Sequence, residues 1–179
     1  LLKHLTMQRK KFIFLLLCLL MARISYAQTE AEESNLKAAF IYNFTRFIDW
    51  DDNVFPNDFM IGVVGNSLIN GPLEEIAKTR TVNNKKIIIK YFKSVEEVEK
   101  CNILFISKNL KIPLSEFLEK PELKKSLIIG EKETYAQKGA GINFVLVDKK
   151  LKFEINQKSL NEAGLKISAQ LLKLAIIVN

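Results

Sequence analysis

Near its start the chain reads LKAAFIYNFTRFIDW (residues 36–50), and the rest of the chain is expected to be organised around this stretch. Its apolar residues recur at spacings of three and four, which predicts an amphipathic helix. The predicted inner stripe of this helix consists of Leu36, Ala39, Phe40, Asn43, Phe44, Phe47 and Ile48. Three phenylalanines are more than a surface helix needs, so we expect this helix to dock on a large core.

Asn43 is the one polar residue in the predicted stripe. Burying an amide costs free energy unless its hydrogen bonds are satisfied, so Asn43 is expected to have a fixed partner. An amide that ties the helix to a neighbouring loop is the favoured interpretation, and an amide that faces a ligand is the alternative.

Residues 1–27 have the features of a secretory signal. Arg9-Lys10-Lys11 precedes an apolar run over residues 12–22, and Ser25-Tyr26-Ala27 supplies small residues at −3 and −1. These features predict cleavage after Ala27, and Met7 is a candidate start that would leave residues 1–6 untranslated. The run is too short for a comfortable membrane span. Cys18 is preceded by Leu17, where a lipoprotein signal has Gly or Ala, so a lipid anchor is disfavoured.

Removal of this segment changes the charge of the chain. The full sequence has 27 basic and 20 acidic residues and a net charge of +7. Five of the basic residues and none of the acidic ones lie in residues 1–27, so the mature chain carries +2. This small excess argues against nucleic-acid binding.

The same removal excludes several kinds of active site. His4, the sole histidine, and Cys18 both lie in the signal, which leaves Cys101 as the sole mature cysteine. A Ser/His/Asp or Cys/His arrangement, a His- or Cys-based zinc site and an intramolecular disulfide are therefore excluded. Cys101 adjoins an apolar run and is expected to be a small buried hydrophobe. An intermolecular disulfide is the alternative for it.

The mature chain, residues 28–179, has the length of one domain, and no linker interrupts it. Apolar runs predict strands over residues 59–65, 86–92, 102–107 and 126–130, followed by a hairpin of residues 142–147 and 151–155. Helices are predicted over residues 71–79, 95–100, 114–118 and 134–138, with a last helix from Ser159 or Asn161 to about Ile176. Asn66 or Ser67 is expected to cap the first of these helices.

The alternation of strands and helices indicates mostly parallel pairing. The predicted fold is an α/β, three-layer, Rossmann-like sandwich, with a mixed sheet that ends in a β-hairpin. The helix of residues 36–50 and the last helix are expected to pack on this sheet.

Ligands of open α/β sheets bind at the carboxyl ends of the strands. Five polar residues of this sequence are predicted at such ends: Asn66, Ser67, Ser107, Lys108 and Glu131. They suit a small polar ligand, although capping and solvated loops explain them equally well. Gly65 is expected to provide the tight exit from its strand, because the GxGxxG and GxxxxGK[ST] phosphate-binding patterns are absent.

No group of residues in the sequence amounts to an active site. Glu131 and Glu133 lie two apart in a predicted turn, where side chains diverge. Trp50 is expected to anchor the end of its helix, and lining a ligand or partner surface is the alternative. We therefore predict no catalytic residue, no cofactor and no metal site.

The sequence resembles the YfiR family over essentially the whole mature chain. The matching segments are LKAAFIYNFTRFIDW (36–50), FMIGVVGNS (59–67), CNILFIS (101–107), SLIIGE (126–131), GAGINFVLVDKKLKFEIN (139–156) and AGLKISAQLLKLA (163–175). None of these segments defines an enzyme motif.

The resemblance implies a non-enzymatic periplasmic regulator that binds an inner-membrane signalling protein and represses it. The implied partner is a diguanylate cyclase, so that the output is cyclic-di-GMP, with a sensor histidine kinase as the alternative. The resemblance also implies a homodimer. With Cys101 alone the chain lacks the disulfides through which some members sense redox state, and Asp51 stands where the family has Pro.

A periplasmic small-ligand-binding domain is the rival hypothesis, and a regulator that responds to a small-molecule ligand would combine the two. The candidate contacts to a ligand or partner are Asn43, Arg46, Trp50, Gly65, Asn66, Ser67, Ser107 and Glu131.

Overall fold

The computed structural model describes residues 30–178, so the predicted signal of residues 1–27 lies outside the described residues. The first helix, α1, covers residues 30–44. The elements after it are β1 (Ile48–Asp49), β2 (Phe59–Val64), α2 (Asn70–Thr79), β3 (Thr81–Val82), β4 (Lys85–Phe92), β5 (Ile103–Ile106), α3 (Leu114–Leu118), a 3₁₀ turn (Pro121–Leu123), β6 (Leu127–Gly130), β7 (Ile142–Val147), β8 (Lys150–Asn156), α4 (Gln157–Glu162), β9 (Lys166–Ile167), α5 (Ala169–Leu172) and β10 (Ile176–Val178).

Eight of the described strands form one sheet in the order β10-β8-β7-β6-β5-β2-β4-β3. The pairs from β4 through β2, β5 and β6 to β7 are parallel, whereas β7 and β8 form an antiparallel hairpin. A separate antiparallel pair joins β1 to β9. The predicted mixed, mostly parallel α/β sheet is therefore confirmed.

Helices and turns cover both faces of this sheet. Strand β5 shows why its sequence is apolar throughout: Ile103 and Phe105 enter one core cluster, and Leu104 and Ile106 enter the other. The first cluster includes buried residues of α1, α2, α4 and α5, and the second includes those of α3. A strand buried on both faces cannot alternate apolar and polar residues.

The predicted register of α1 is right only in part. The buried face of the helix consists of Lys37, Ala38, Ile41 and Phe44, of which the predicted stripe includes Phe44. Phe40, from the same stripe, is half-buried and packs against the core. Asn43 is exposed rather than buried, as are Leu36 and Ala39. The physical reason is that the helix turns a lysine inward, which a pattern based on hydrophobicity assigns to the outside.

The end of α1 also differs from the prediction. The helix stops at residue 44, and Ile48 and Asp49 pair with Ile167 and Lys166 in β9. The backbone N–H of Ser168 donates to the carbonyl oxygen of Phe47 at 2.9 Å. Pairing with a distant segment therefore replaces the last turns of the predicted helix.

The predicted last helix, from Ser159 or Asn161 to Ile176, is wrong. The helix α4 begins instead at Gln157, where the Asn156 side chain accepts the backbone N–H of Ser159. It ends because Gly164 adopts φ +76°, and the backbone N–H groups of Gly164 and Leu165 then reach back to the carbonyl oxygens of Asn161 and Leu160. This pattern is a Schellman motif, which stops a helix. The chain continues as β9, α5 and β10.

Three further local predictions differ from the structure. Residues 95–100 and 134–138 form turns and bends rather than helices. The N-cap of α2 is Ile69, which makes no side-chain cap hydrogen bond, although the Ser67 hydroxyl accepts the N–H of Ile69 at 3.4 Å.

Candidate functional site

A polar cavity lies at the carboxyl ends of β2, β5 and β6, beneath the amino-terminal half of α1. Its volume is about 260 Å³. Residues from α1 and from the loops after the three strands line it: Glu30, Glu33, Ser34, Lys37, Asn66, Ser67, Leu68, Lys108, Asn109 and Glu131. Parallel strands end at one edge of the sheet, so loops that are far apart in sequence meet here.

Lys37 forms two ion pairs in the wall of this cavity. Its Nζ lies 2.6 Å from Oε1 of Glu33 on the same helix and 2.6 Å from Oε2 of Glu131 after β6. The side chains of Lys37 and Glu131 are 8% and 5% exposed, so both charges are buried. The ion pair between Lys37 and Glu131, which we call the Lys37–Glu131 bridge, fixes the first turns of α1 to the end of the central strand β6.

The surroundings of Lys37 raise its pKa. Burial by itself lowers the pKa of this ammonium group, but the hydrogen bonds and negative charges of Glu131 and Glu33 together outweigh it. Lys37 is therefore a charged anchor at neutral pH and not a base that accepts protons.

Glu131 uses both of its oxygens. While Oε2 binds Lys37, Oε1 accepts the backbone N–H of Lys108 at 2.9 Å. The single carboxylate thus joins the end of β6, the loop after β5 and helix α1.

Ser107 is buried, and its hydroxyl has a structural partner. The Oγ donates to the carbonyl oxygen of Asn66 at 2.8 Å and accepts the backbone N–H of Asn109 at 3.3 Å. These bonds hold the loop after β2 against the loop after β5.

A second cavity, of about 350 Å³, lies next to the Lys37–Glu131 bridge. It shares Glu33, Lys37, Lys108 and Glu131 with the first cavity. The rest of its lining comes from Glu133 and from the β7–β8 hairpin, where Leu146 is 60% exposed.

The structure brings five of the predicted site residues together and leaves three elsewhere. Asn66, Ser67 and Glu131 line the polar cavity, and Ser107 lies directly behind Asn66. Gly65 has φ +86° and makes the tight strand exit that the sequence predicts. Asn43 and Arg46 are exposed at the other end of α1.

Trp50 anchors the segment after α1, as the favoured interpretation predicts. Its Nε1 donates to the carbonyl oxygen of Asn102 at 3.2 Å. Its ring packs edge-on against Phe59 with the ring centroids 5.0 Å apart. Both contacts tie the start of the sheet to the segment that leaves α1.

Sequence reasoning missed the contribution of α1 to the cavity. The sequence pattern places none of Glu30, Glu33 and Lys37 near Glu131. One local signal was available, because Glu33 and Lys37 are four residues apart and form a helical ion pair. Its position over the strand ends depends on the tertiary fold.

Cys101 is a buried hydrophobe, as predicted. It has no exposed surface, and burial raises the pKa of its thiol to about 12. A thiol in this state does not pair readily with a second chain.

Within residues 30–178 no group of three or more His, Cys, Asp or Glu side chains is arranged to hold a metal ion. Over the same part of the chain, every helix is too short or too polar to cross a membrane.

The fold and the cavity together define an α/β domain whose polar site lies at the carboxyl edge of a mixed sheet. The sequence profile of the YfiR/HmsC-like family matches residues 34–176. The chain therefore belongs to this family, which is periplasmic, regulatory rather than catalytic, and associated with membrane signalling proteins of the cyclic-di-GMP system.

Solved structures are similar to this chain at low sequence identity. A conserved domain protein from Vibrio cholerae O1 biovar eltor has a TM-score of 0.50 and 16% identity, over 72% of this chain and 57% of that one. The ABC domain of a Streptococcus pneumonia protein, solved in complex with L-Trp, has a TM-score of 0.43 and 15% identity, over 71% and 57%. The chain thus spans little more than half the length of either protein. No curated protein matches the chain.

Proposed function

We propose that this chain is a periplasmic regulator that binds an inner-membrane signalling protein and represses it. The favoured partner is a diguanylate cyclase, so that binding would lower cyclic-di-GMP. The observation that carries the proposal is the family match, which extends over residues 34–176. The export signal predicted in residues 1–27 supports the location.

The contacts of the charged groups in the polar cavity favour a structural role for these groups over a catalytic one. Lys37 is held by two carboxylates, and Glu131 binds a backbone N–H as well as Lys37. Groups engaged in this way hold structure together, whereas a general acid or base must be free to exchange a proton with a substrate.

The partner could instead be a sensor histidine kinase, because the family match does not name a specific partner. We further propose that the protein acts as a homodimer. Asn43 and Arg46, which are exposed at the end of α1, are proposed contacts to one of these protein partners.

A small-ligand-binding role is the second candidate. It is favoured by the position of the polar cavity, at the strand ends where α/β domains bind ligands. Asn66, Ser67 and Glu131 would then contact the ligand. A ligand-responsive repressor would unite both candidates.

Chemical crosslinking in intact cells tests the regulatory proposal. The exported chain carries a tag at its carboxyl end, and the crosslinked proteins are identified by mass spectrometry. The proposal predicts recovery of an inner-membrane protein with a cytoplasmic cyclase or kinase domain. The identity of that domain shows whether the repressed activity is cyclic-di-GMP synthesis or histidine-kinase signalling. Recovery of the chain alone would count against it and favour the ligand-binding candidate, which thermal-shift screening of small polar molecules then tests.

A further inference from the structure

The two cavities share Glu33, Lys37, Lys108 and Glu131, so they adjoin each other along the carboxyl edge of the sheet. We call the two adjoining cavities together the carboxyl-edge groove, and their lining includes Leu68, after β2, and Leu146 in β7. The four strands that it crosses are β2, β5, β6 and β7, which are neighbours in that order. Three strand spacings give a length of about 14 Å, which suits an extended segment of four or five residues.

The groove is acidic although the chain as a whole is basic. Four carboxylates line it, from Glu30, Glu33, Glu131 and Glu133. Two ammonium groups, those of Lys37 and Lys108, also line it, so the lining has an excess of two negative charges. Without the predicted signal of residues 1–27 the chain carries a net charge of +2. The local charge therefore selects a basic occupant and opposes an anionic membrane surface.

An exposed leucine lies at each end of the acidic centre. Leu68 and Leu146 are both 60% exposed, and each lines one of the two cavities. Each leucine offers an apolar contact beside the carboxylates, and exposed apolar surface of this kind is used for binding other proteins.

We propose that the carboxyl-edge groove binds an extended segment of the membrane partner that has basic residues between two apolar side chains. The inference rests on the proposed regulatory function and names the surface and the chemistry of the contact. The basic residues lie over the excess carboxylates, while the apolar side chains pack on Leu68 and Leu146. A small molecule would occupy one cavity alone, whereas a peptide segment spans both.

The test uses the crosslinking capture with three variants of the full chain. Leu68→Glu and Leu146→Glu add a charge at the two ends of the groove. Leu174→Glu is the matched control, because Leu174 is 68% exposed and lines neither cavity. All three positions are exposed, and thermal unfolding confirms that each variant folds as the wild type does.

We expect Leu68→Glu and Leu146→Glu each to lower recovery of the membrane partner by about tenfold, the effect of losing one central contact. Leu174→Glu should leave recovery unchanged. In addition, a photo-crosslinker placed at position 146 should label a segment of the partner that contains lysine or arginine.

Two results would overturn the assignment of the groove while leaving the regulatory function in place. One is equal recovery of the partner by the wild type and both groove variants. The other is a label at position 146 on an acidic segment or on lipid. If the wild-type chain captures no membrane signalling protein, the regulatory function itself fails and the groove assignment fails with it.

Discussion

The ammonium nitrogen of Lys37 lies 2.6 Å from Oε2 of Glu131, and this ion pair joins the first helix to the end of the central strand β6. The two residues are 94 positions apart in the sequence. Both are almost completely buried, so the pair orders α1 over the strand ends in a way that apolar packing alone does not. The shape of the carboxyl-edge groove depends on it.

Replacing Lys37 by methionine should destabilise the protein by about 3 kcal/mol. Methionine keeps most of the side-chain volume but leaves the buried Glu131 carboxylate without a counter-charge, which is the costly way to break a buried pair. The measurement is the free energy of unfolding from urea denaturation.

Two variants serve as controls for this prediction. Lys78→Met removes the exposed pair with Glu75, in which the side chains are 65% and 71% exposed, and should change stability by about 0.5 kcal/mol or less. The double variant Lys37→Met/Glu131→Gln should be more stable than Lys37→Met, because it removes the uncompensated charge. Equal effects of Lys37→Met and Lys78→Met would show that the bridge contributes nothing.

The stabilisation that Lys37 provides should disappear at alkaline pH. Its pKa in the folded protein is raised above the ordinary value of 10.5, despite the opposing effect of burial, because Glu131 and Glu33 hold the charged form. The contribution is therefore complete below pH 10.5 and is lost as the pH rises through the folded-state pKa.

The titration of other groups also destabilises the protein in alkali, so the wild type has to be compared with Lys37→Met. Burial raises the pKa of Tyr91 and of Cys101 as well, and the resulting losses are common to the wild type and Lys37→Met. The difference in unfolding free energy between these two proteins should be constant from about pH 7 to 9 and should narrow above pH 10.5. If the difference in unfolding free energy stays constant to about pH 12, the charge of Lys37 is not the source of the stabilisation.

Gly130→Ala should destabilise the protein by about 2 kcal/mol. The added Cβ would lie 2.5 Å from Cδ2 of Tyr135 and 3.1 Å from Oδ1 of Asn143. The Tyr135 ring is itself buried, so it cannot move aside without disturbing the core. Gly71→Ala is the control, because no atom outside its chain neighbours and the backbone of its own helix lies within 4 Å of the added Cβ. Thermal unfolding should show a clearly lower melting temperature for Gly130→Ala and a smaller change for Gly71→Ala.

The Cys101 thiol should be unreactive in the folded protein. It has no exposed surface, and burial raises its pKa from 9.0 to about 12, which reduces the thiolate at neutral pH by about a thousandfold. In a chain with Cys18→Ser, the rate of reaction with a disulfide reagent should be at least about a hundredfold lower in buffer than in urea. Rapid reaction in buffer, or a disulfide-linked dimer, would be inconsistent with this burial.

The central strands could be predicted from the sequence because their physical environment leaves a local signature. Ile103–Ile106 is buried at every position, and a short continuous apolar run is what a strand covered on both faces requires. The same reasoning brought Asn66, Ser67, Ser107 and Glu131 to one edge of the sheet, because parallel strands end together.

The register of α1 could not be predicted in this way. A lysine belongs on the outside of a helix unless a buried partner is present, and the partner of Lys37 is a residue 94 positions later. The position of Asn43 follows from the same choice, because turning Lys37 inward turns Asn43 outward.

The end of the chain did contain a signal against a continuous helix. Gly164 is well suited to the left-handed conformation that ends α4, and Ile176–Val178 is entirely β-branched, as strands prefer. The spacing of Leu160, Leu171 and Leu174 instead favours a continuous helix, because all three fall on one helical face. The pairing of Ile176–Val178 with β8 decides the structure there.

The measurement that tests repression most directly is the cyclic-di-GMP content of the native host with and without this chain. We predict a rise of several-fold when the chain is deleted and a return to the original content when the exported chain is restored. A chain that lacks residues 1–27 should not restore it, because it would stay on the wrong side of the membrane. Unchanged cyclic-di-GMP after deletion would contradict the proposal that this protein represses a diguanylate cyclase.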